Sequence, residues 1–439
     1  MEFNYFFKLK IFMFSYLRQI WNTPGLRKKI LFTVFILVVF RVVAHIPVPG
    51  IDPEQLKGIM QASGLDFLSL LTGGSIENFS IVLMGLSPYI NASIIVQLLT
   101  VIVPKLESLS KEGEQGRNKI NQYTRWIAFP LAFLQSYGMI LLLNRLAPSG
   151  LLDVTRFAEV VPTMLYVSAG TIFLMWLGEL ITEKGIGNGI SLLIFAGIVA
   201  NIPQVVGNML LSANAGDTKT LPFLIFTVIT IVMLFFIIMF TEGNRNIPIT
   251  YAGRGAKSEK SGLPIRVNQA GMIPIIFAIS MISFPSILSQ FFANAESEWL
   301  RNASSFIQTY LNSSTPGYTY MLVYFLLILG FSYFYISITF NPDQIAENLQ
   351  KRGGFIPGIR PGKQSSDYIA KVSSHLNLFG GVFLALIAII PILFTRFTDL
   401  STSDLLISGS GLIIVVGVVL ELIRQINAQL VMHDYERLV

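Results

Sequence analysis

The sequence predicts an all-α polytopic membrane protein of ten spanning helices, and three observations carry that prediction. Of its 439 residues, 53% are hydrophobic and only 13% are charged, where a soluble domain carries about 25% charge. Apolar runs near the length of about 20 residues that a bilayer requires recur along the chain. They fall at approximately 29–46, 80–103, 125–146, 162–181, 188–210, 221–241, 269–291, 319–340, 374–395 and 407–429. The basic residues then sort onto alternate loops. Lys57, Arg145, Arg156, Lys219, Arg301 and Arg396 stand on one side, Arg41 lies inside the first run, and every other Lys or Arg of the 31 falls on the opposite side. The positive-inside rule puts that richer side, and with it both chain ends, in the cytoplasm. Losing or adding one span would scramble the alternation.

Residues 1–28 alternate aromatic or aliphatic side chains (Phe6, Phe7, Ile11, Phe12, Phe14) with Lys8, Lys10 and Arg18. This pattern fits a helix lying in the membrane interface, and Pro24-Gly25 ends it. No A-x-A-like cleavage site follows an early apolar core, so the N-terminus is expected to be retained. The spans divide into halves at 29–210 and 211–429, with 430–439 as a tail. Because each half holds an odd number of spans, a duplicated half would sit inverted relative to its twin.

The stretch from Leu65 to Val103 departs from ordinary spanning sequence. Leu65, Phe67, Leu68, Leu70, Leu71 and Thr72 make an apolar run too short to cross a bilayer, and Gly73-Gly74 breaks it. The run that follows, Phe79 to Val103, carries Gly85, Pro88, Asn91, Ser93 and Gln97 in its middle. Lipid penalises unpaired polar groups, so this span is expected to face protein or water. A half-helix feeding a polar, proline-interrupted helix predicts a pathway through the protein.

The chemistry missing from the chain narrows its function. There is no cysteine, and His45, His375 and His433 are scattered, so thiolate catalysis and a metal site are not expected. No P-loop pattern is present. Ion- or proton-coupled transporters place ionisable groups near mid-membrane, but here Glu179 and Glu421 lie near span ends and Arg41 is three-quarters along the first span. Gly185-Ile186-Gly187-Asn188-Gly189 has the look of a phosphate loop but no preceding strand, and reads as a tight interhelical turn. Asn302-Ala303-Ser304 and Asn312-Ser313-Ser314 match a glycosylation pattern common by chance. No enzyme and no cofactor are predicted.

Two basic loops stand out. Residues 241–267 hold Arg245, Arg254, Lys257, Lys260 and Arg266; residues 341–371 hold Lys351, Arg352, Arg360, Lys363 and Lys371. Pro357-Gly358-Ile359-Arg360-Pro361-Gly362 is a stiff turn presenting a single arginine. Topology-setting charge and attraction to anionic phospholipid would account for some of this. Docking of a large anionic partner, RNA or an acidic protein, would account for the rigid turn.

Longer motifs carry a resemblance. Gly73-Gly74 with Gly85-x-x-Pro88-Tyr89-Ile90-x-Ala92-Ser93-Ile94-Ile95-x-Gln97-Leu98-Leu99-Thr100 resembles the second span of the SecY family, the channel subunits of the bacterial Sec protein translocon. Lys111-Glu112-Gly113-Glu114-x-Gly116-Arg117, Gln122-Tyr123-Thr124-Arg125, Trp176-Leu177-Gly178-Glu179-x-Ile181-Thr182-Glu183, Gly185–Ser191 and Phe355-x-Pro357–Gly362 are similar to further motifs of that family, in the family's order. The resemblance implies an hourglass channel of two inverted five-helix halves. Such a channel passes unfolded preproteins and releases membrane helices sideways into lipid. It also implies a plug at about 65–72 and an aliphatic pore ring at Leu86, Ile90, Ile190, Ile194, Ile276 and Ile414, from spans two, five, seven and ten. A lateral gate between spans two and three and spans seven and eight would include Gln97, Thr124 and Asn268. Docking of the SecA motor ATPase or a translating ribosome would use Arg245, Arg254, Lys257, Arg352, Arg360 and Lys363, and SecE and SecG would be companion subunits. Where relatives carry isoleucine in the ring this chain has Leu86, and where they often carry paired arginines it has Arg245-Asn246. A secondary transporter of small solutes, with a charged mid-membrane pocket, and an insertase or scaffold without plug or ring are the rival expectations.

Overall fold

The computed structural model describes residues 18–49, 79–146, 156–214, 220–251, 261–292, 295, 297–311, 316–398, 405 and 407–438. Its spanning helices are α1 (Pro24–Val43), α2 (Ser87–Ile102), α4 (Glu114–Leu146), α5 (Phe157–Lys184), the pair α6 (Gly189–Ala200) and α7 (Ile202–Asn214), and α8 (Thr220–Glu242). They continue with α9 (Ile273–Phe292), α11 (Tyr318–Thr339), α13 (Lys363–Phe397) and α14 (Gly409–Leu438). Short helices α3 (Pro104–Lys111), α10 (Glu298–Tyr310) and α12 (Pro342–Lys351) lie between them. Among the described residues eight stretches are long and apolar enough to cross a membrane, and α2 and α3, bent by 106°, make a ninth when taken together as one broken span. The tenth is α1, whose apolar run is diluted by Arg27, Lys28, Lys29 and Arg41.

Helix boundaries follow local chemistry. Proline stands in the first turn of α1, α2, α3 and α12, where its missing N–H costs nothing. The side chain of Asn188 accepts the Ser191 N–H at 3.2 Å to cap α6, and Asn341 does the same for the Gln344 N–H at the start of α12.

The second span differs from the expected helix over 80–103. Residues 79–86 form turns, Ser80 bridges to Pro47, and α2 begins only at Ser87. Gly85 at φ 54° and Pro88 in the first turn explain the late start. Irregular backbone at membrane depth needs a protein lining, and Val82, Leu83, Met84 and Leu86 are all buried. Gly170 of α5 permits the approach, since a Cβ there would lie 2.1 Å from the Ile81 carbonyl oxygen.

One apolar core runs through the spans, from Ile36 and Phe40 of α1 to Ile413 and Ile414 of α14. Buried polar groups fasten it: Ser332 Oγ of α11 donates to Asn377 Oδ1 of α13 at 2.7 Å. The Gly185–Gly189 segment is the interhelical turn expected of it. Thr33 Oγ1 accepts the Ile186 N–H at 3.1 Å, Gln425 Oε1 the Gly187 N–H at 2.8 Å, and Thr182 Oγ1 the Gly189 N–H at 2.9 Å. The turn is thus tied to α1, α14 and α5.

The two basic segments are not separate loops. Strands β1 (Asn244–Tyr251), β2 (Ser261–Arg266) and β3 (Gly354–Phe355) form a small antiparallel sheet in the order β2-β1-β3. Beneath it Ile247, Ile265, Ala346, Ile356 and Ile369 make a separate core shared with α12 and the start of α13. Ser366 Oγ donates to Asp343 Oδ1 at 2.5 Å and closes the unit.

Candidate functional site

The site is built where the broken second span meets the middle of the bundle. Leu86 precedes α2 and its carbonyl accepts the Ile90 N–H at 3.0 Å, so the two side chains share a face. Ile194 comes from α6, Ile276 from α9 and Ile414 from α14. These five side chains line a single cavity. Phe40, Leu193 and Ile279 add apolar surface, and Ser87, Asn91, Ser280 and Ser283 supply its polar groups. No ionisable residue lines it. A lining this apolar disfavours water and ions.

Ile190 is not among the lining residues. It packs on α5, where Gly178 makes room: a Cβ on Gly178 would lie 2.7 Å from Ile190 Cδ1. The sequence singled out Asn91 but missed Leu193, next to Ile194, and Ile279, three residues on from Ile276. For Ile279 the signal was that spacing.

The seam between α2 with α4 and α9 with α11 is closed by apolar contacts. Tyr137 of α4 and Phe291 of α9 have ring centroids 5.3 Å apart, and Gly138 of α4 lies so close to Ile287 of α9 that a Cβ there would be 2.7 Å from Ile287 Cγ2. Of the three expected polar seam residues, Gln97 donates to Ser93 Oγ at 3.1 Å and Thr124 to the Ile120 carbonyl at 3.0 Å. Asn268 Oδ1 accepts the Gly271 N–H at 2.9 Å. Each of these hydrogen bonds stays within its own element. A stronger tie on the same side of the molecule is the ion pair of Arg125 Nε with Glu179 Oε1 at 2.6 Å, which joins α4 to α5.

Arg245, Arg352, Arg360 and Lys363 are all exposed on the sheet unit. The turn carrying Arg360 is fixed on both sides. Ile356 is buried and its carbonyl accepts the Ile359 N–H at 3.0 Å, while Ser365 Oγ donates to the Arg360 carbonyl at 3.0 Å. Gly358 at φ 79° and Gly362 at φ 97° supply the left-handed backbone that the turn requires. Arg254 and Lys257 lie outside the described residues, as do all the expected plug positions from Leu65 to Gly74.

With this geometry in hand, residues 80–423 match the model of the SecY family. The protein translocase subunit SecY of Halalkalibacterium halodurans is 42% identical over 438 residues, covering 97% of this chain and 99% of that one. That of Bacillus subtilis is 40% identical over 435 residues, covering 96% and 99%. The chain belongs to the SecY family. Its fold agrees with solved structures at lower identity. A protein-conducting channel matches with a TM-score of 0.66 at 17% identity, covering 92% of both chains. Sec61 in a canine ribosome–channel complex from the endoplasmic reticulum matches at 0.63 and 17%, again over 92% of both. The SecY fold accounts for the ten-helix arrangement as two inverted five-helix halves. Among the described residues no group of His, Asp or Glu is placed to hold a metal ion.

Proposed function

We propose that this chain is the protein-conducting channel of a bacterial translocon, a multi-pass protein of the cytoplasmic membrane. It passes unfolded secretory polypeptides across the membrane and releases transmembrane segments sideways into lipid. The observation that carries this reading is the convergence of Leu86, Ile90, Ile194, Ile276 and Ile414, from four separate spans, on one apolar cavity. An ion- or proton-coupled transporter of small solutes places ionisable groups near mid-membrane, and no ionisable residue lines the cavity.

The finer assignments follow from the same reading. The basic sheet unit and both chain ends face the cytoplasm. Arg245, Arg352, Arg360 and Lys363, with Arg254 and Lys257, dock the SecA motor or a ribosome, one of which supplies the driving force. SecE and SecG pack against the lipid-facing helices, anionic phospholipid binds the basic side, and residues 65–72 close the outer half of the channel as a plug. Ile190 joins the ring only when α6 moves relative to α5. The seam between α4 and α9 is the lateral exit, with Gln97, Thr124 and Asn268 along it. Division into 29–210 and 211–429 makes the two halves the moving parts.

The test is crosslinking to a stalled secretory chain from cysteines at Ile90 and Ile276, in a background without other cysteines. Adducts at both positions are expected. Their absence at both would remove the cavity from the polypeptide's route.

A further inference from the structure

Helix α10 presents three distinct faces. Leu300, Ala303, Ser304, Ile307, Gln308 and Leu311 turn toward the protein. Glu298, Arg301, Asn302, Ser305 and Thr309 are exposed and polar. Between these faces runs a third: Trp299, Phe306 and Tyr310 fall within about 40° of one another around the helix, and are 74%, 60% and 44% exposed. The Phe306 and Tyr310 rings touch at a tilt of 45°, with centroids 4.6 Å apart.

The inner face is bound to the last turns of α9. Ser304 Oγ donates to the Ser289 carbonyl at 2.7 Å, and Gln308 Nε2 donates to Ser304 Oγ at 3.1 Å and Ser289 Oγ at 3.4 Å. On another side of those same turns, Ile287 and Phe291 meet Gly138 and Tyr137 of α4. The end of α9 is therefore held between α10 and α4.

We infer that α10 lies in the headgroup region of the leaflet opposite the basic sheet unit, with its aromatic stripe immersed in lipid, and that this immersion holds α9 against α4. The partner is the bilayer surface, for three reasons. Tryptophan and tyrosine favour the membrane–water boundary, and a helix with one apolar and one polar exposed face lies along it. The flanking helix ends are exposed and apolar too: Phe292 ends α9 exposed, and Tyr318 and Leu322 begin α11 exposed. Beside them Arg396 stacks over the Tyr318 ring at 5.2 Å and donates to the Pro316 carbonyl at 3.1 Å, placing a cation at headgroup level. The inference rests on the membrane placement of the helices and not on the identity of what passes through the channel.

The test uses the full chain, purified with its companion subunits and reconstituted in vesicles. Trp21→Phe, Trp126→Phe and Trp176→Phe leave Trp299 as the sole indole of four. Phosphatidylcholine brominated just below the headgroup should quench most of its emission, and lipid brominated near the chain ends should quench less. Moving the indole with Trp299→Phe and Phe306→Trp should reproduce that order. Loss of quenching with both lipids, or stronger quenching by the deep bromines, would overturn the placement. For the coupling, Tyr137→Cys with Phe291→Cys forms a crosslink whose yield should fall when Trp299, Phe306 and Tyr310 are all replaced by serine. An unchanged yield would overturn the claim that lipid contact holds α9 on α4.

Discussion

Tyr137 of α4 and Phe291 of α9 meet in a tilted ring contact, centroids 5.3 Å apart and planes at 52°, and the next residue along, Gly138, leaves no spare volume between the two helices. A Cβ at Gly138 would lie 2.7 Å from Ile287 Cγ2 and 3.0 Å from Phe291 Cε2. The seam proposed as the lateral exit is therefore shut by close apolar packing, which can reseal without finding hydrogen-bond partners.

This packing sets the first prediction. Gly138→Leu forces extra volume into the seam, at a cost of about 1–3 kcal/mol to the closed arrangement. Each 1.4 kcal/mol is a tenfold change in population, so the variant should accept preproteins with crippled signal sequences far more readily than the parent. Export of such a reporter, normalised to the amount of channel in the membrane, is the measurement. Unaltered stringency would mean that the α4–α9 contact does not control opening.

A second prediction separates the ring residue that lies apart from those that line the cavity. Ile276→Asn places an amide in the constriction, which should hydrate it and raise ion leak in potassium-loaded vesicles. Ile276→Leu conserves volume and should leave the leak near the parent level. Ile190→Asn should leak less than Ile276→Asn, because Ile190 packs on Gly178 and does not line the cavity. Its cost should instead appear as reduced thermal stability. Equal leak from Ile190→Asn and Ile276→Asn would put Ile190 in the constriction.

The third prediction concerns the turn that joins α5 to α6. A Cβ at Gly189 would lie 1.8 Å from the Gly178 carbonyl oxygen, so Gly189→Val cannot fit without moving a helix. Little channel should accumulate in the membrane. Thr182→Val is milder: it strands the Gly189 N–H that Thr182 Oγ1 now accepts. Leaving one donor unpaired costs about 1–3 kcal/mol, which should lower the unfolding midpoint while the protein still assembles. Wild-type stability in both variants would mean the turn is not held as described.

The spanning helices were legible in the sequence because bilayer length, apolar composition and loop charge all report on one constraint. The broken second span was half legible. Pro88 and Asn91 announced something irregular, but the turns at 79–86 depend on Gly170 of α5 admitting the Ile81 carbonyl, a contact between distant residues. The ring at Leu86, Ile90, Ile194, Ile276 and Ile414 came from resemblance and spacing, and neither could foresee that Ile190 sits against Gly178. The sheet escaped notice because two of its strands carry proline, Pro248 in β1 and Pro264 in β2, and the third is two residues long. The alternation of buried Ile247 and Ile249 was its one local signal. Helix α10 was missed although Trp299, Leu300, Ala303, Phe306, Ile307 and Tyr310 make one apolar stripe at helical spacing, because its 13 residues are too few and too polar to register as a span.

The sheet unit gives the last prediction its force. Arg360 is exposed on a turn whose two flanks are anchored, by Ile356 in the small core and by Ser365 Oγ on the Arg360 carbonyl at 3.0 Å. An exposed side chain away from caps and cores contributes at most about 0.5 kcal/mol to folding, so Arg360→Glu should leave assembly and thermal stability at parent levels. Reversing one charge on a rigid mount should nevertheless cripple motor-driven export, because an acidic partner surface then meets like charge. Ser365→Ala keeps the arginine and frees one flank of its turn, and should give an intermediate defect. Export rate per assembled channel, compared across parent, Ser365→Ala and Arg360→Glu, decides the matter. A graded loss places the contact at the turn, whereas parent rates in Arg360→Glu would move docking elsewhere on the sheet unit.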